Sequence, residues 1–386
     1  MNILPANRIS QVEEYYFSIK LKEIDKMRQE GANIINLGIG NPDLAPSKST
    51  IDTLTAEANK VNPGNHGYQS YIGIPELRNG FAAWYKKYFK VDLNGATEIL
   101  PLIGSKEGIM HISMAFVNEG DEVLVPNPGY PTYSSVSKLV GAKIRYFDLA
   151  EERNWQPDFD ALERTDLSKV KIMWVNYPNM PTGARATMEL FEKLVAFGKK
   201  HNILIVNDNP YSFVLNNEQL SILAVKDAKD VAIELNSLSK SGNLSGWRVG
   251  MVAAKKEFID YILRVKSNMD SGMFRPLQVA AAQTLAMPDE WYSTNNAIYA
   301  ERRKVVFEIL DILNCTYDIN QVGMFVWAKI PASIESCTSL TDSILYDKHV
   351  FITPGIIFGS AGAKYIRISL CTSKELLLEA RDRIKA

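Results

Sequence analysis

The stretch SLSKSGNLSGWRVG, residues 237–250, decides how the rest of the chain is interpreted. Lys240 follows an apolar run and is flanked by serines, which makes it a candidate for a Schiff base with a carbonyl compound. Arg248 lies between two glycines shortly afterwards, where its planar fork can pair with a phosphate. Taken alone, the pattern also fits a lysine and an arginine that simply reach solvent, so the segment has to be interpreted together with its surroundings.

Short apolar, β-branched runs alternate with amphipathic stretches on both sides of this segment. Helical patterns lie between many of these runs. The alternation predicts a mostly parallel sheet covered by helices on both faces, in which ligands bind at the carboxyl ends of the strands. Candidate strands are 98–101, 122–125, 143–147, 171–175, 203–207, 231–235 and 249–253, and candidate helices include 75–89, 106–116 and 188–200.

The two ends of the chain show different patterns from the middle. Near-helical apolar spacing over 9–30 predicts one helix that stops at Gly31. Beyond residue 278 the pattern predicts a second, smaller α/β layer, with helices at 278–287, 291–314, 339–348 and 374–385 and strands at 324–329 and 364–370. Because no Gly/Ser linker separates the parts, we expect packed domains.

Composition excludes several classes of protein. The chain has 386 residues, 46% of them hydrophobic and 23% charged, with a formal net charge of -1. A balance so close to neutral gives no indication of a nucleic-acid partner. No apolar run is long enough to span a bilayer, and the first ten residues lack the apolar core of a signal peptide, so we expect a cytoplasmic protein. The cysteines and histidines are scattered, which predicts neither disulfides nor a metal site.

Three further motifs offer binding groups, each with an ordinary structural alternative. GSKEG at 104–108 follows a predicted strand and opens a helix, where free backbone N–H groups form an anion site, although it could be a simple turn. NDNPY at 207–211 places a carboxylate at a strand end, either as a turn cap or as the partner of a cofactor's ring nitrogen. NYPNMPTG at 176–183 contains two prolines and a glycine, which predict a rigid loop.

Two last motifs complete the set. YQSYIG at 68–73 carries aromatic residues that serve either packing or binding. YIRIS at 365–369 is an alternating strand that places Arg367 on the face opposite its two isoleucines, either in solvent or as a fixed fork for a carboxylate.

Read together, these segments resemble the class I and II aminotransferases, the fold-type I enzymes that use pyridoxal 5'-phosphate (PLP). The resemblance runs from 36 to 367, and the ordered set of motifs is far more specific than any one of them. It implies an α/β fold with a large domain built on a mostly parallel seven-stranded sheet flanked by helices. It also implies a smaller α/β domain formed by both termini, with divisions at 1–40, 41–275 and 276–386.

The resemblance implies PLP as the cofactor and assigns roles to individual positions. Lys240 matches the lysine that carries PLP and later moves the α-proton, and Asp208 matches the acid that keeps the pyridine nitrogen protonated. Tyr211 matches the tyrosine that donates to the ring's phenolic oxygen, and Tyr130 the residue stacked on the ring. Other residues expected at the cofactor are Gly104, Ser105, Lys106, Asn176, Ser237, Arg248 and, from a neighbouring subunit, Tyr68. Arg367, helped by the backbone at Gly38, is expected to bind the substrate carboxylate.

One position departs from the family pattern. Members usually have asparagine directly before Pro-Thr-Gly, where it bonds the phenolic oxygen of the ring, whereas this chain has Met180. Asn179 is the nearest amide but should point elsewhere, so Tyr211 is expected to carry more of this contact, with Asn176 or a water as helper. With one donor fewer, the Schiff base should keep its proton to a higher pH.

The leading hypothesis is ping-pong transamination between an L-amino acid and a 2-oxo acid, with 2-oxoglutarate as the usual acceptor in such families. The alternative on the same fold is a lyase that cleaves a C–S bond β to the amine. A PLP-binding regulatory protein or a non-catalytic binding protein ranks far behind. Aromatic residues near Tyr16 and Phe17 favour an apolar or aromatic donor, and no second fixed cation for a distal carboxylate can be placed. The Tyr68 match predicts a homodimer with shared sites. The composition and the scattered cysteines and histidines predict no metal, membrane or nucleic-acid partner.

Overall fold

The computed structural model of the chain describes residues 3–12, 14 and 16–386. Its strands are β1 Ile35–Asn36, β2 Ile99–Leu102, β3 Glu122–Asn127, β4 Lys143–Asp148, β5 Val170–Val175, β6 Leu204–Asp208, β7 Ala232–Ser237, β8 Gly250–Ala253, β9 Thr316–Tyr317, β10 Phe325–Lys329, β11 Val350–Phe351, β12 Thr353–Pro354 and β13 Tyr365–Ser369. Its α-helices are α1 Tyr16–Gln29, α2 Lys48–Ala58, α3 Pro63–His66, α4 Pro75–Trp84, α5 Ser105–Phe116, α6 Pro131–Leu139, α7 Phe159–Glu163, α8 Met188–His201, α9 Leu238–Ser241, α10 Lys256–Lys266, α11 Arg275–Leu285, α12 Asp289–Ile312, α13 Cys337–Lys348 and α14 Lys374–Lys385.

A seven-stranded sheet in the order β2-β8-β7-β6-β5-β3-β4 forms the centre of the molecule. Strand β8 runs antiparallel to both of its neighbours, and the other pairings are parallel. The predicted α/β class with a mostly parallel sheet is confirmed. Since β4 lies on one side of β3 and β5 on the other, the strand order reverses there, and a crevice opens at the carboxyl ends of the strands.

Each face of this sheet is covered by its own hydrophobic core. Trp84 of α4 and Phe191 of α8 belong to the core on one face, together with apolar side chains of β5 and β7. Ile109 of α5 and Tyr133 of α6 belong to the core on the opposite face. Sheets covered on both sides bury their strands on both faces, and β5–β7 are buried at every position except Lys171 rather than alternating between buried and exposed residues.

A smaller layer combines the two ends of the chain. Strands β12, β13, β10 and β9 form an antiparallel sheet, and β1 pairs in parallel with β11. One hydrophobic core joins Phe17 and Ile24 of α1 to Val306 of α12 and to Ile366 of β13. The divisions expected at 40 and 275 remain predictions. Because α11 packs against α2 and α4, we propose that the second division lies further along, within α12.

All seven strands predicted for the central sheet overlap strands of the structure, but the N-terminal helix prediction is wrong in part. Residues 7–11 form a short 3-10 helix, and α1 begins only at Tyr16, while positions 13 and 15 of the predicted helix lie outside the described residues. The 3-10 segment buries none of its side chains, and Ile9 is exposed. Apolar spacing therefore had no core to stabilise a longer helix there.

Candidate active site

The carboxyl ends of β5, β6 and β7 and the start of α5 open into a cavity of about 550 Å³. Residues of α1 and of the segment after β1, together with residues of β10 and β13, close it from the smaller layer. The cavity is lined by Phe17, Ser18, Leu21, Ile39, Gly40, Ser105, Lys106, Tyr130, Tyr133, Asn176, Met180, Asp208, Pro210, Tyr211, Ser237, Ser239, Lys240, Ser245, Arg248, Phe325, Phe358 and Arg367. The structure thus brings together most of the residues that the sequence singled out, from positions far apart in the chain.

Asp208, the last residue of β6, is a buried carboxyl group with one unused oxygen. The hydroxyl of Tyr133 donates to its Oδ2 over 2.9 Å, whereas Oδ1 has no hydrogen-bond partner. Burial raises the pKa of Asp208 to about 7, although the bond from Tyr133 lowers it. A buried carboxylate with a vacant acceptor is costly unless a donor, best a cationic one, pairs with it. The site is therefore suited to a protonated ring nitrogen.

Lys240 lies within the short helix α9, which follows β7. Its amine donates to the backbone oxygen of Gly40 over 2.7 Å, a contact that joins the two layers. Burial lowers the pKa of Lys240 to about 8; nearby Cys371 raises it, and Arg367 lowers it. An amine with a lowered pKa is unprotonated in a useful fraction near neutral pH, as a nucleophile or base requires.

An anion cradle lies at the start of α5. Gly104 precedes the helix with φ +81°, and a Cβ at this position would lie 2.1 Å from the Arg248 guanidinium. Glycine is therefore required both by the backbone conformation and by the close approach of the arginine. Arg248 donates to the Ser245 carbonyl over 2.8 Å, and Ser237 at the end of β7 lines the same end of the cavity. Helix N–H groups, a guanidinium and hydroxyls together suit a phosphate dianion.

Arg367 on β13 is almost fully buried in the wall of the cavity. It donates to the Gly38 carbonyl over 2.9 Å and approaches the sulfur of Met180 at 3.3 Å. Its guanidinium lies 3.8 Å from the ring centre of Phe325 and 4.6 Å from that of Phe358. A guanidinium held between aromatic faces cannot swing away, so it presents a fixed fork to a carboxylate.

The loop at 176–183 resolves the question that Met180 raised. Asn179 turns back into its own loop, as predicted, since its Oδ1 accepts from the Thr182 hydroxyl over 2.7 Å. The amide of Asn176 is also occupied, because Nδ2 donates to the Asp208 carbonyl and Oδ1 accepts from the Met180 N–H over 2.7 Å. Tyr211, the expected main donor, lines the cavity, and burial raises its pKa. Asn176, the expected helper, lines it as well, and a direct bond to a ring oxygen would have to use the second N–H of Nδ2.

Some predicted residues lie elsewhere or act differently. Tyr68 is 92% exposed and does not line the cavity of its own chain. The Gly38 N–H donates to Asn36 Oδ1 over 3.0 Å, so Gly38 serves the site through its carbonyl, which accepts from Arg367. Phe17 lines the cavity, as expected for the N-terminal segment, but Tyr16 does not.

The sequence interpretation missed several residues that matter. Tyr133 was overlooked although it lies three positions after Tyr130, on the first turn of α6. Ser239 was also overlooked, although it lies between Ser237 and Lys240, and its hydroxyl is 3.5 Å from the guanidinium of Arg248. Phe325 and Phe358 carried no local signal, since their motifs are those of ordinary core residues, and only the packing of β10 against β13 brings Phe325 to the guanidinium.

Outside the cavity, one group of side chains resembles a metal site. Ligand-type atoms of Glu107, His111 and Asp270 lie within 4.8 Å of one another. The ammonium of buried Lys266, however, lies 2.8 Å from Asp270 Oδ2 and already supplies a cation. We therefore interpret the group as a buried charge cluster between α5 and α10. Among the described helices, none is both long and apolar enough to cross a membrane.

Comparison with known proteins identifies the class of this chain. A family model described as aminotransferase class I and II matches residues 32–384. A curated LL-diaminopimelate aminotransferase of Aquifex aeolicus is 40% identical over 98% of both chains. The apo-BacF structure from Bacillus subtilis is 35% identical, with a TM-score of 0.94 over 100% of this chain and 98% of that one. A Thermus thermophilus aspartate aminotransferase variant, 23% identical with a TM-score of 0.91 over 100% and 99%, shares the fold.

The chain therefore belongs to the class I and II aminotransferases. It is a PLP-dependent transaminase of fold type I, and the lyase alternative is not favoured. The residues fit the cofactor that the family implies, because the unpartnered Oδ1 of Asp208, the amine of Lys240 and the cradle at Gly104 offer a partner for its nitrogen, its aldehyde and its phosphate.

Proposed function

We propose that this enzyme transfers the amino group of an apolar or aromatic L-amino acid to 2-oxoglutarate, with PLP held by Lys240 as a Schiff base. The observation that supports cofactor binding most strongly is the buried, half-satisfied carboxyl group of Asp208. A cationic N–H at its Oδ1 would restore the lost partner and lower its pKa.

Donors at the other end of the cavity support the placement of the phosphate. In this proposal the N–H groups at the start of α5, the hydroxyl of Ser237 and the guanidinium of Arg248 bind the phosphate oxygens. Tyr130, at the head of α6, packs against the ring, and the hydroxyl of Tyr211 donates to the phenolic oxygen. Tyr68 of a second copy would complete the phosphate site, so the active form is proposed to be a homodimer with shared sites.

Bound PLP supplies an electron sink for the pair of electrons left on Cα when its proton departs. Asp208 would keep the ring nitrogen protonated. The lowered pKa of Lys240 would allow its amine to act as a base for the Cα proton. The protonated amine of Lys240 would then hold that proton and release it again within the same buried site. Burial of both groups excludes water, which strengthens the charge interactions between them.

Arg367 is proposed to bind the α-carboxylate and so to orient the Cα–H bond toward Lys240. The cavity walls beyond the Arg367 guanidinium, which we call the substrate clamp, are largely apolar. They include Phe17, Leu21 and Ile39 from the N-terminal side. Such walls bury an aromatic or aliphatic side chain of the donor. 2-Oxoglutarate would use the same arginine for its C1 carboxylate in the second half of the ping-pong cycle. We keep the cytoplasmic location as a prediction.

A second donor, LL-diaminopimelate, is favoured by one observation. Curated aminotransferases that carry this name are about 40% identical over nearly the whole chain.

The cofactor assignment is tested by borohydride reduction of the purified enzyme followed by peptide mass analysis. The phosphopyridoxyl mass should appear on Lys240. Lys240→Ala should lose steady-state turnover while PLP still binds non-covalently. A reduced label on another lysine, or full activity of the variant, would overturn the assignment.

The reaction and the donor are tested by incubating the enzyme with single L-amino acids and LL-diaminopimelate. A transaminase accumulates pyridoxamine phosphate without an acceptor, whereas a β-lyase releases pyruvate and ammonia. We expect phenylalanine, tyrosine, leucine or methionine to give the fastest half-reaction. A kcat/KM for LL-diaminopimelate at least tenfold higher than that for any apolar or aromatic amino acid would identify LL-diaminopimelate as the donor.

A further inference from the structure

A second carboxyl group is fully buried in the large sheet, outside the cavity. Glu234 on β7 has no exposed surface. The Tyr85 hydroxyl donates to its Oε1 over 2.8 Å, and the amide of Asn207 donates to its Oε2 over 3.0 Å. The backbone N–H of Ile222 donates to the same oxygen over 3.1 Å. Burial raises the pKa of Glu234, whereas hydrogen bonds from Asn207, Ser221, Tyr85 and the Ile222 N–H act against that rise.

The carboxylate fixes the orientation of the Asn207 amide. An asparagine side chain has one donating end and one accepting end. Because Nδ2 donates to Glu234, Oδ1 must face the other way, where it accepts from the backbone N–H of Tyr177 over 3.0 Å. Tyr177 belongs to the loop at 176–183, so the amide anchors the start of that loop to β6.

The anchored loop reaches the proposed substrate clamp. The next contact is between Asn176 Oδ1 and the Met180 N–H at 2.7 Å, and Asn176 Nδ2 also donates to the Asp208 carbonyl. Met180 then places its sulfur 3.3 Å from Nη1 of Arg367. The contacts from Glu234 to Asn207, from Asn207 to the Tyr177 N–H and from Asn176 to the Met180 N–H are buried hydrogen bonds, and the loop backbone joins them. Buried hydrogen bonds hold their geometry tightly, so the loop carries this order to the sulfur beside Arg367.

We propose that Glu234 and Asn207 are positioning residues, which hold the loop at 176–183 and, through Met180, the guanidinium of Arg367. Neither residue lines the cavity. The inference rests on the proposed role of Arg367 in carboxylate binding. Under this proposal the carboxyl group of Glu234 supports substrate binding in addition to the stability of the sheet.

The test exchanges donor and acceptor within the pair. Asn207→Asp replaces the donating amide by a second carboxyl group opposite Glu234. At a pH at which neither carboxyl group holds a proton, the two carboxylates repel and the loop loses its anchor. In the double variant N207D/E234Q the new glutamine amide can donate to the new aspartate, which restores the bond. The backbone N–H of Ile222 loses its acceptor there, so the rescue is expected to be incomplete.

Two measurements on the PLP-loaded enzyme report on the clamp. One is the Kd of 3-phenylpropionate, an unreactive carboxylate, by calorimetry, and the other is KM and kcat for the donor found by the screen. We expect Asn207→Asp to raise both Kd and KM about tenfold with a smaller change in kcat, and the double variant to return to within about threefold.

Asn216→Asp is the matched control, because Asn216 is also buried and donates to the backbone at Ser212 and Glu218, neither of which lines the cavity. It should lower the melting temperature without changing Kd. If Asn207→Asp does not fold, the folded double variant is the test. A tenfold loss that the double variant keeps, or an unchanged Kd in Asn207→Asp, would overturn the proposal. Failure of the unaltered enzyme to transaminate any amino acid would instead contradict the proposed function.

Discussion

The hydroxyl of Tyr133 donates a 2.9 Å hydrogen bond to Oδ2 of Asp208 and leaves Oδ1 of the same carboxyl group without a partner. Tyr133 also stacks on Trp174, with ring centres 5.2 Å apart and an interplanar angle of 5°. One oxygen of Asp208 is thus fixed by the core while the other is kept available. The arrangement orients the carboxylate before any cofactor binds, which lowers the cost of binding.

Tyr133→Phe should weaken PLP binding about fivefold to tenfold. The ring keeps its stacking on Trp174, but Asp208 loses a donor that lowers its pKa. Titration of apoenzyme with PLP, followed by fluorescence, gives the Kd. Tyr365→Phe is the matched control, since Tyr365 also donates to a carboxylate, Glu151, and stacks on a tryptophan. Equal affinity losses in both variants would show that the effect is not specific to Asp208.

Asp208→Asn should stabilise the apoenzyme while it weakens PLP binding. The folded pKa of about 7 lies above the ordinary value of 3.8, so the folded state binds the proton more tightly and wild-type stability falls as pH rises from about 4 to 7. The amide does not ionise and so avoids this loss, but both N–H groups of its nitrogen lack an acceptor, so the expected gain at pH 8 is about 1–3 kcal/mol.

Urea unfolding of both apoproteins at pH 4 and pH 8 measures this difference. It should be small at pH 4, because this pH lies close to the ordinary pKa of 3.8 and little of the pH-dependent loss has yet developed. Asp52→Asn, an exposed position, should change stability by less than about 0.5 kcal/mol at either pH. An apoenzyme destabilised by Asp208→Asn at pH 8 would contradict the prediction.

Met180→Asn should lower the pH at which the bound cofactor changes its visible absorbance, by about one unit. The new amide would donate to the phenolic oxygen of the ring and favour the deprotonated Schiff base. An absorbance titration of the loaded enzyme measures the midpoint. Met180→Leu removes the sulfur without adding a donor and should leave the midpoint unchanged. Identical midpoints in the two variants would refute the idea that the missing donor matters.

Tyr68 should act only in a dimer. Its side chain is 92% exposed, far from the cavity of its own chain, whereas the proposed phosphate site needs it from a second copy. Sedimentation at assay concentration should show a dimer, and Tyr68→Phe should raise the Kd for PLP about threefold to tenfold without dissociating it. Tyr71→Phe, three residues on and partly exposed, serves as the control. A fully active monomer would show that the assignment is wrong.

The sequence by itself determined the sheet and the order of the motifs that identify the family. Strands β5 and β6 were predictable because burial on both faces favours apolar runs such as residues 203–206, which are visible without coordinates. Asp208 ends β6 and Lys240 follows β7, at the carboxyl ends where parallel sheets bind ligands, so the convergence of these two residues could be anticipated.

Only the tertiary structure decided what surrounds these residues. The stacking of Tyr133, the cage of Phe325 and Phe358 around Arg367, and the bond from Lys240 to Gly40 join elements distant in sequence. The start of α1 was likewise decided by burial, since apolar spacing around Ile9 meets no core. Local patterns record which face of an element is apolar, whereas the partners that the face meets depend on packing between distant parts of the chain.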